Sequence, residues 1–287
     1  MPELDRLIAL AESLLERLGH GLSETPAETD WASLAFRWRR QHGGARLQAV
    51  SQPHRIRLAD LRGVDAQKEL LVRNTRQFLR GLPANNVLLT GARGTGKSSL
   101  VKALLSEFDA DGLRLVEVDK ADLTDLMDIT DLLHVRPERF IVFCDDLSFD
   151  ADELGYKALK VALDGSVAAV ADNMLIYATS NRRHLMPEFM AENLATQYAG
   201  DEIRPGEATE EKVSLSERFG LWLSFYPFDQ EAYLDIVRHW LRSFGIARLT
   251  PQTRRAALQF ALQRGSRSGR VAWQFARDWA GQQGLRD

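Results

Sequence analysis

Residues 91–98 read Gly91-Ala92-Arg93-Gly94-Thr95-Gly96-Lys97-Ser98 and meet every fixed position of the phosphate-binding loop pattern G-x-x-x-x-G-K-[ST]. The apolar run 86–90 before them is typical of a buried parallel strand, and residues 98–105 are typical of a helix. This strand, loop and helix order is the context that the pattern requires. A glycine-rich turn between a strand and a helix does not need the Lys-Ser pair. The stretch therefore predicts a nucleoside triphosphate site.

The residues of this loop have separate chemical tasks. Its three glycines allow the backbone to turn sharply and to aim its N–H groups, with those of the helix N-terminus, at an anion. Lys97 can reach the β- and γ-phosphates, and the Ser98 hydroxyl can bind Mg²⁺. We therefore expect the nucleotide and its magnesium ion to contact Gly91, Ala92, Arg93, Gly94, Thr95, Gly96, Lys97, Ser98 and Ser99.

The composition is that of an ordinary globular protein. The chain has 287 residues, of which 45% are hydrophobic and 27% charged, and this length suits one large domain with appendages or two modest domains. The formal net charge of -3 gives no global excess of positive charge for a nucleic-acid backbone. This argues against direct nucleic-acid binding, although a local basic patch stays open.

The cysteine content and the apolar runs bear on location. The single cysteine, Cys144, cannot form an internal disulfide and has no second cysteine for a metal site, which fits a reducing compartment. No apolar run approaches the roughly 20 residues of a membrane span. Residues 1–6 lack the basic and then apolar order of a signal peptide. We therefore expect a cytoplasmic protein without a membrane segment.

Residues 1–50 are predicted to form a small helical appendage. Apolar residues recur at helical spacing over 4–18, and this helix should end near Gly19. A second helix is expected after a cap at Asp30, and its apolar positions share one face: Trp31, Leu34, Ala35 and Trp38. Its basic positions are Arg37, Arg39, Arg40 and His42. We interpret them as a solvated face, with contact to a partner or to an acidic surface as the alternative.

The nucleotide-binding core is predicted to span residues 51–227. A polar linker over 48–57 leads into a helix expected at about 66–79. Further short runs of branched or aromatic residues follow the loop: 113–118, 140–144, 174–179 and 221–226. With the strand before the loop, they predict an α/β fold with a five-stranded parallel sheet covered by helices on both faces.

Two other segments flank or interrupt this core. Gly, Pro and acidic residues dominate 196–213, which predicts a mobile surface insertion. Residues 228–287 are predicted to form a helical lid, with a cap at Asp229 and with Pro251 at the first position of a helix after Thr250. A last helix has three apolar residues on one stripe, which we interpret as core: Val271, Phe275 and Trp279.

Two acids come directly after the strand predicted at 140–144. In open α/β sheets ligands bind at the carboxyl ends of the strands, so Asp145 and Asp146 should face the nucleotide. Asp145 can hold Mg²⁺ through water, and Asp146 can orient or deprotonate the attacking water. A turn or helix cap before Leu147 is the alternative for this pair.

Further polar residues are candidates for catalysis. Asn181 follows the strand at 174–179 and is placed to bind a water molecule or the γ-phosphate. Arg218 can stabilise charge that develops during phosphoryl transfer, including across a subunit boundary, with a surface ion pair as the alternative. Arg267 and Arg270 open the final helix, where either can reach a phosphate.

These features, in this order, resemble the AAA+ ATPases. The resemblance covers residues 58–287, and the phosphate-binding loop is its most specific part. It implies a five-stranded αβα core with a helical lid, ATP and Mg²⁺ as ligands, and a homo-oligomer. The segments 144–149 and 213–228 look most like an uncharacterised bacterial group of small stand-alone AAA+ ATPases, for which the resemblance supplies no substrate.

The resemblance also implies a role for each matched residue. Lys97 and Ser98 match the Walker A positions, and Asp145 and Asp146 match the Walker B pair. The remaining matches are Asn181 as sensor 1, Arg218 as the arginine finger, Arg270 as sensor 2 with Arg267 as the competing choice, and Gly63 and Val64 as the loop that contacts adenine.

Two departures from the family pattern limit the transfer of function. Most members have glutamate where this chain has Asp146, and an aspartate looks more like the replication initiators and helicase loaders, so slow hydrolysis is expected. Members that thread proteins have an aromatic residue and a glycine in the loop after the second strand. Residues 119–136 contain neither, which argues against an axial unfoldase.

The sequence leads to two main functional hypotheses. The first is an ATPase that hydrolyses ATP with Mg²⁺ to remodel or load a protein partner as an oligomer. The second is a slowly hydrolysing ATP-dependent switch or loader related to replication initiators and helicase loaders. A small-molecule kinase is a third possibility, but it needs a second substrate pocket for which the sequence has no separate signature.

Overall fold

The computed structural model describes residues 29–41, 44–149, 154–164, 172–181, 197–199, 202–204 and 215–284. The strands are β1 (Ala35–Gln41), β2 (Gly44–Ala49), β3 (Val87–Gly91), β4 (Leu113–Glu117), β5 (Arg139–Cys144), β6 (Met174–Ser180), β7 (Gln197–Ala199), β8 (Glu202–Arg204) and β9 (Leu221–Phe225). The α-helices are α1 (Asp65–Leu79), α2 (Lys97–Phe108), α3 (Leu126–Leu133), α4 (Leu154–Asp164), α5 (Gln230–Ser243), α6 (Pro251–Gln263) and α7 (Gly269–Gly284). Short 3₁₀ helices cover Leu58–Asp60 and Lys120–Asp125.

The central sheet has seven strands in the order β2-β1-β4-β5-β6-β3-β9. Its neighbouring strands are parallel except for the antiparallel pair β1 and β2. The middle strands β5, β6 and β3 are buried along nearly their whole length, as expected where helices cover both faces of a parallel sheet. The α/β class and the five predicted strands are confirmed, and two further strands extend the sheet.

The two further strands correct the prediction of a second N-terminal helix. Residues 35–41 and 44–49 form the antiparallel pair of β1 and β2, called here the β1–β2 hairpin, and β1 pairs in parallel with β4. Phe36 and Trp38 are buried while Arg37 and Arg39 are partly open, which is the period-two alternation of a strand. Residues 35–41 and 44–49 therefore belong to the sheet and not to a helical appendage. The first predicted helix, at 4–18, lies outside the described residues.

The basic cluster on β1 binds acids of its own chain. Arg37 Nη2 lies 2.8 Å from Glu117 Oε2, and Arg39 Nη1 lies 3.0 Å from Asp119 Oδ2. Arg40 pairs with Asp125. These contacts agree with the alternative interpretation, in which the cluster meets an acidic surface, and that surface belongs to the same chain. His42 lies outside the described residues.

Two apolar layers cover the two faces of the sheet. One layer contains α1, α2 and the C-terminal helices, in which Leu71, Leu104 and Tyr233 are fully buried. The other contains α3 and α4 under the opposite face. The lid helices therefore share one continuous core with the helix that follows the phosphate-binding loop.

The predicted start signals of the lid helices are confirmed. The Asp229 carboxylate accepts a hydrogen bond from the Ala232 N–H at 2.8 Å, and Thr250 caps α6 with Pro251 at its first position. Val271 and Phe275 are buried on the predicted stripe, and Trp279 stacks on Phe275 at a centroid distance of 5.6 Å. Of the predicted insertion, the described part is the antiparallel pair β7 and β8.

The helices differ in length and hydropathy from a membrane span. In the described ranges, none of them is both long enough and apolar enough to cross a membrane.

Candidate nucleotide-binding site

The phosphate-binding loop connects β3 to α2, as predicted, and β3 lies between β6 and the edge strand β9. Gly91 has a φ of 126°, and an added Cβ there would lie 1.9 Å from the carbonyl oxygen of Phe225 on β9. The N–H of Ala92 donates to the same oxygen at 3.3 Å. Gly91 is therefore required because the loop passes directly against the backbone of the neighbouring strand.

The Lys97 ammonium lies inside this loop. Its side chain is nearly buried, and Nζ donates to the carbonyl oxygens of Gly91 at 2.7 Å and Ala92 at 2.8 Å and to Asn181 Oδ1 at 3.0 Å. Burial lowers the pKa of Lys97, against the opposing effect of the nearby Asp146 and Asp145 carboxylates. A buried ammonium held only by uncharged acceptors at hydrogen-bond distance fits a site for an anion.

Asp145 and Ser98 form the oxygen cluster expected for magnesium. Ser98 Oγ donates to Asp145 Oδ1 at 2.6 Å, and Thr179 Oγ1 donates to the same oxygen at 2.6 Å. Within the described residues no group of three or more metal-binding side chains occurs. The Ser98 and Asp145 oxygens fit Mg²⁺, which in nucleotide sites takes one or two protein oxygens and completes its coordination with phosphates and water.

Asp146 stands in an unusual backbone conformation at the edge of the sheet. Its φ is 55°, a value in the left-handed region that non-glycine residues seldom adopt and that occurs often at functional sites. Its carboxylate accepts from Asn181 Nδ2 and lies 3.5 Å from Arg93 Nη2. Residues 147–149 are not helical, so the pair of acids does not cap a helix there.

A cavity of about 690 Å³ brings these groups together. Lys97, Ser98, Asp145, Asp146 and Asn181 line one end of it, beneath the lid. Further lining residues matched by the predicted site are Val64, Arg93, Gly94, Thr95, Gly96, Ser99 and Arg270. Most of the predicted phosphate, metal and lid residues therefore line one cavity, whereas Gly91 and Ala92 do not line it.

The structure separates the two arginines that were candidates for sensor 2. Arg270 lines the cavity with Lys97, whereas Arg267 lines a second cavity on the other side of the loop. Gly63 lies beside the first cavity, where an added Cβ would be 3.0 Å from Phe228 Cε1.

Sequence reasoning missed the residues at the far end of the cavity. His54, Ile56, Trp240 and Trp273 line it there. Residues 48–57 were interpreted as a linker, and Trp240 and Trp273 were not among the predicted site residues. Their aromatic character was a signal, but it did not show that the lid folds over the loop and brings α5 and α7 together.

Arg218 does not reach the loop of its own chain. Arg218 Nε lies 2.5 Å from Asp164 Oδ1 at the end of α4, and Arg218 is absent from the cavity lining. The predicted surface ion pair is therefore present, and a role for this arginine in catalysis requires a nucleotide held by another subunit.

The lid touches the phosphate-binding loop directly. The Gly269 N–H donates to the Gly94 carbonyl at 2.9 Å, and an added Cβ on Gly94 would lie 2.8 Å from Ser268 Cβ. The position of α7 is therefore coupled to the shape of the loop.

Comparison with known proteins places this site in a family. A family model described as "Protein of unknown function (DUF815)" matches residues 31–283. A search of curated proteins gives no match.

Two solved structures illustrate the similarity in fold. A point variant of Thermotoga maritima RuvB has 16% identity and a TM-score of 0.51, over 77% of this chain and 63% of that chain. Aeropyrum pernix ORC1, solved in complex with DNA, has 16% identity and a TM-score of 0.56, over 79% of this chain and 62% of that chain. The chain thus spans less than two thirds of either protein. The likeness shows the fold, which is that of the AAA+ ATPases.

Proposed function

This chain belongs to the DUF815 family, and from that membership and its AAA+ fold we propose that it binds and hydrolyses ATP to remodel or load a protein partner. The observation that carries the proposal is the meeting of Lys97, Ser98 and Asp145 in one cavity beneath the lid. A strand, loop and helix that bind no nucleotide would not need a nearly buried lysine beside a hydroxyl that donates to a carboxylate.

The loop side of the cavity is proposed to bind the triphosphate. The N–H groups of the loop and of the α2 N-terminus point to the same anion site, and Lys97 supplies the positive charge there. Ser98 and Asp145 are proposed to hold Mg²⁺, which neutralises phosphate oxygens when bound. Asp145 is held in place for this task by the Thr179 hydroxyl, 2.6 Å away.

Asp146 and Asn181 are proposed to orient and activate the attacking water molecule. Asp146 is open to solvent and can accept a proton from water, while Asn181 joins it to Lys97 through hydrogen bonds on both ends of its amide. Asp146 is one methylene shorter than the glutamate typical of AAA+ ATPases. We therefore propose slow turnover, because the shorter carboxylate has to reach further toward the water.

The far end of the cavity is proposed to bind adenine. Val64 is buried there, and Ile56, Trp240 and Trp273 supply apolar and aromatic surface. A purine ring stacks well on such surface. Gly63 has no side chain, and an added Cβ there would crowd Phe228 Cε1 at 3.0 Å.

An oligomer is proposed because of Arg218. Its guanidinium lies on Asp164 and not on its own chain's loop. An arginine that stabilises the charge of phosphoryl transfer can act from a neighbouring subunit, and Arg218 is proposed to do so.

The experiment is an ATP hydrolysis and ATP binding assay on matched variants. Asp146→Asn should bind ATP with nearly unchanged affinity but lower turnover by about 100-fold, the scale of a lost general base. Lys97→Met should weaken binding itself. Lys102→Met is the control, because Lys102 lies on the same helix but pairs with Glu117 at 3.3 Å. Normal turnover of Asp146→Asn, or no ATP binding by the native chain, would contradict the proposal.

A slowly hydrolysing ATP-dependent switch or loader is the second candidate function. Asp146 favours it, as does the absence of aromatic and glycine residues from 119–136, the segment that contains the 3₁₀ helix Lys120–Asp125 and α3. Rapid turnover with excess ATP and no partner would exclude the switch. Sizing the protein in ATP and in ADP would show whether the nucleotide controls assembly instead.

A further inference from the structure

A second cavity, of about 760 Å³, lies on the outer side of the phosphate-binding loop, against α6 and the connection to α7. We call it the lid groove and define it by six of its lining residues: Arg93, Phe228, Arg255, Leu258, Leu262 and Arg267. Asp145, Asp146 and Lys97 line the nucleotide cavity and not this one. The lid groove is therefore a separate site.

The lid groove is positively charged. Of its 15 lining residues three are arginine and none is acidic. Among the described residues, Arg255 and Arg267 have no ion-pair partner, whereas the neighbouring Arg254 pairs with Glu231 at 2.9 Å. Residues 228–287 contain ten arginines, no lysine and five acidic residues, so the lid is basic in a chain whose net charge is -3. The charge of the groove thus suits a carboxylate-bearing ligand.

The floor of the lid groove is apolar. Leu262 is 82% exposed, the largest exposed fraction among the large hydrophobic residues of the described chain. Leu258 is partly buried beside it, and Phe228 and Ala261 close the floor. An exposed leucine in a concave site with charged neighbours is typical of a binding surface and not of a free lid surface.

We propose that the lid groove binds an acidic segment of a partner protein, with one apolar side chain on Leu258 and Leu262 and carboxylates on Arg255 and Arg267. Guanidinium groups bind carboxylates with two parallel hydrogen bonds, which fixes the orientation of the segment. A nucleic-acid backbone would use the arginines but would leave the leucines exposed. The apolar floor therefore favours a peptide.

The lid groove and the nucleotide cavity share a wall. Arg93 lines both cavities and lies 3.5 Å from Asp146, and Ala92 and Thr95 of the same loop also line the groove. A ligand that moves Arg93 or the loop alters the nucleotide site, and by linkage ATP alters the affinity for the ligand by the same factor. The inference rests on the proposed function for its partner class, but peptide binding itself needs no hydrolysis.

The test is a selection from a random dodecapeptide phage library, followed by fluorescence anisotropy with the labelled peptides. The selected peptides should combine Asp or Glu with Leu or Phe. The double variant Arg255→Ser/Arg267→Ser should weaken their binding at least about tenfold, or about 1.4 kcal/mol. Leu262→Ser should weaken it as well. Peptides without acidic residues, or equal binding by these variants, would overturn the proposal.

The matched control is Arg238→Ser/Arg254→Ser, which removes the same charge from two lid arginines that pair with Asp235 and Glu231 outside the groove. It should bind the peptides like the native chain. All measurements are repeated with Lys97→Met, where peptide binding should persist. A native chain that binds the peptides but does not bind or hydrolyse ATP contradicts only the proposed function, and a native chain that hydrolyses ATP but binds no peptide contradicts only the groove.

Two other occupants are distinguished by the same variants. If Arg255→Ser/Arg267→Ser abolishes the binding of a labelled 20-base-pair DNA duplex and the library yields no peptide, the groove binds nucleic acid and the proposal is wrong. If it instead abolishes self-association in sedimentation, the occupant is a second copy of this chain and the proposal is wrong as well.

Discussion

Asn181 connects the two charged groups on which hydrolysis is proposed to depend. Its amide oxygen accepts from Lys97 Nζ at 3.0 Å, and its amide nitrogen donates to Asp146. Asn181→Ala should lower turnover by about 100-fold, the scale of a lost polar contact to the reacting groups, because Asp146 loses its orienting partner. ATP affinity should change far less, since the loop and Lys97 remain. Single-turnover kinetics and equilibrium ATP binding measure the two quantities.

The control for Asn181 is Asn173, just before the opposite end of β6. Asn173 Nδ2 donates to the carbonyl oxygens of Leu133 and Arg136 at 2.9 and 2.8 Å, far along the strand from the cavity. Asn173→Ala should lower the free energy of unfolding and leave the turnover of the folded protein unchanged. Equal losses of turnover in both variants would mean that Asn181 acts only on stability.

Gly91 allows a separate prediction at the scale of one residue. Gly91→Ala places a Cβ 1.9 Å from the Phe225 carbonyl oxygen, and neither backbone can move without breaking the pairing of β3 with β9. Gly112→Ala is the control, because its φ of 86° is also positive but nothing lies within 4 Å of an added Cβ. Gly112→Ala should cost about 1 kcal/mol from strain alone, and Gly91→Ala several times more. Urea unfolding of both variants tests the difference.

At the scale of the element, the β1–β2 hairpin shows why one prediction failed. The spacing of Trp31, Leu34 and Trp38 fits a helical face, yet the alternation of Phe36 and Trp38 with Arg37 and Arg39 fits a strand equally well in so short a segment. The outcome depends on tertiary contacts. β1 becomes a strand because β4 offers an open edge, and because Glu117 and Asp125 pair with its arginines.

The strands and helices around the phosphate-binding loop were predictable because each has a local signal. β3 and β5 are short apolar runs, and α5 and α6 begin at side chains that cap them. No local sequence signal shows how α7 is oriented relative to the phosphate-binding loop. The sequence therefore leaves the choice between Arg267 and Arg270 open, whereas in the structure the two arginines line different cavities.

The hairpin predicts a pH dependence of stability. Asp125 is nearly buried, accepts a hydrogen bond from Trp38 Nε1 at 2.9 Å and pairs with Arg40, whose hydrogen bond lowers the pKa of Asp125. A carboxylate whose pKa is lowered in the folded state stabilises the fold at pH values above its ordinary pKa of 3.8. This stabilisation is lost as the pH falls through the folded-state pKa. Asp125→Asn should therefore lower the free energy of unfolding by about 1.5–3 kcal/mol at pH 7 and by less in acid.

Asp119→Asn is the control for this prediction. Asp119 pairs with Arg39 at 3.0 Å but is 56% exposed, so the pair should contribute only about 0–1 kcal/mol. Denaturant unfolding of the native chain and both variants between pH 3 and pH 7 measures the difference, with pH values that bracket the ordinary carboxyl range. A constant deficit of Asp125→Asn down to the lowest pH would contradict the assigned cause.

At the scale of the whole molecule, the proposed hydrolysis would use one more cation, supplied by a neighbouring subunit. Lys97 and Arg270 come from this chain, while Arg218 lies on Asp164. If a neighbouring subunit completes the site, Arg218→Ala should lower turnover by about 10³-fold, the scale of an arginine finger. ATP affinity should stay close to that of the native chain, because no contact to the nucleotide within the subunit is lost.

Mixing two inactive variants distinguishes a shared site from an internal one. Arg218→Ala subunits keep Asp146, and Asp146→Asn subunits keep Arg218, so a mixed oligomer contains some sites with both groups. Turnover should then rise well above the sum of the two variants alone, and it should fall again on dilution as the subunits separate. Simple addition of the two activities at every protein concentration would contradict a shared site. Arg218 would then act in the site of its own chain, or it would only stabilise the fold, for example through its ion pair with Asp164.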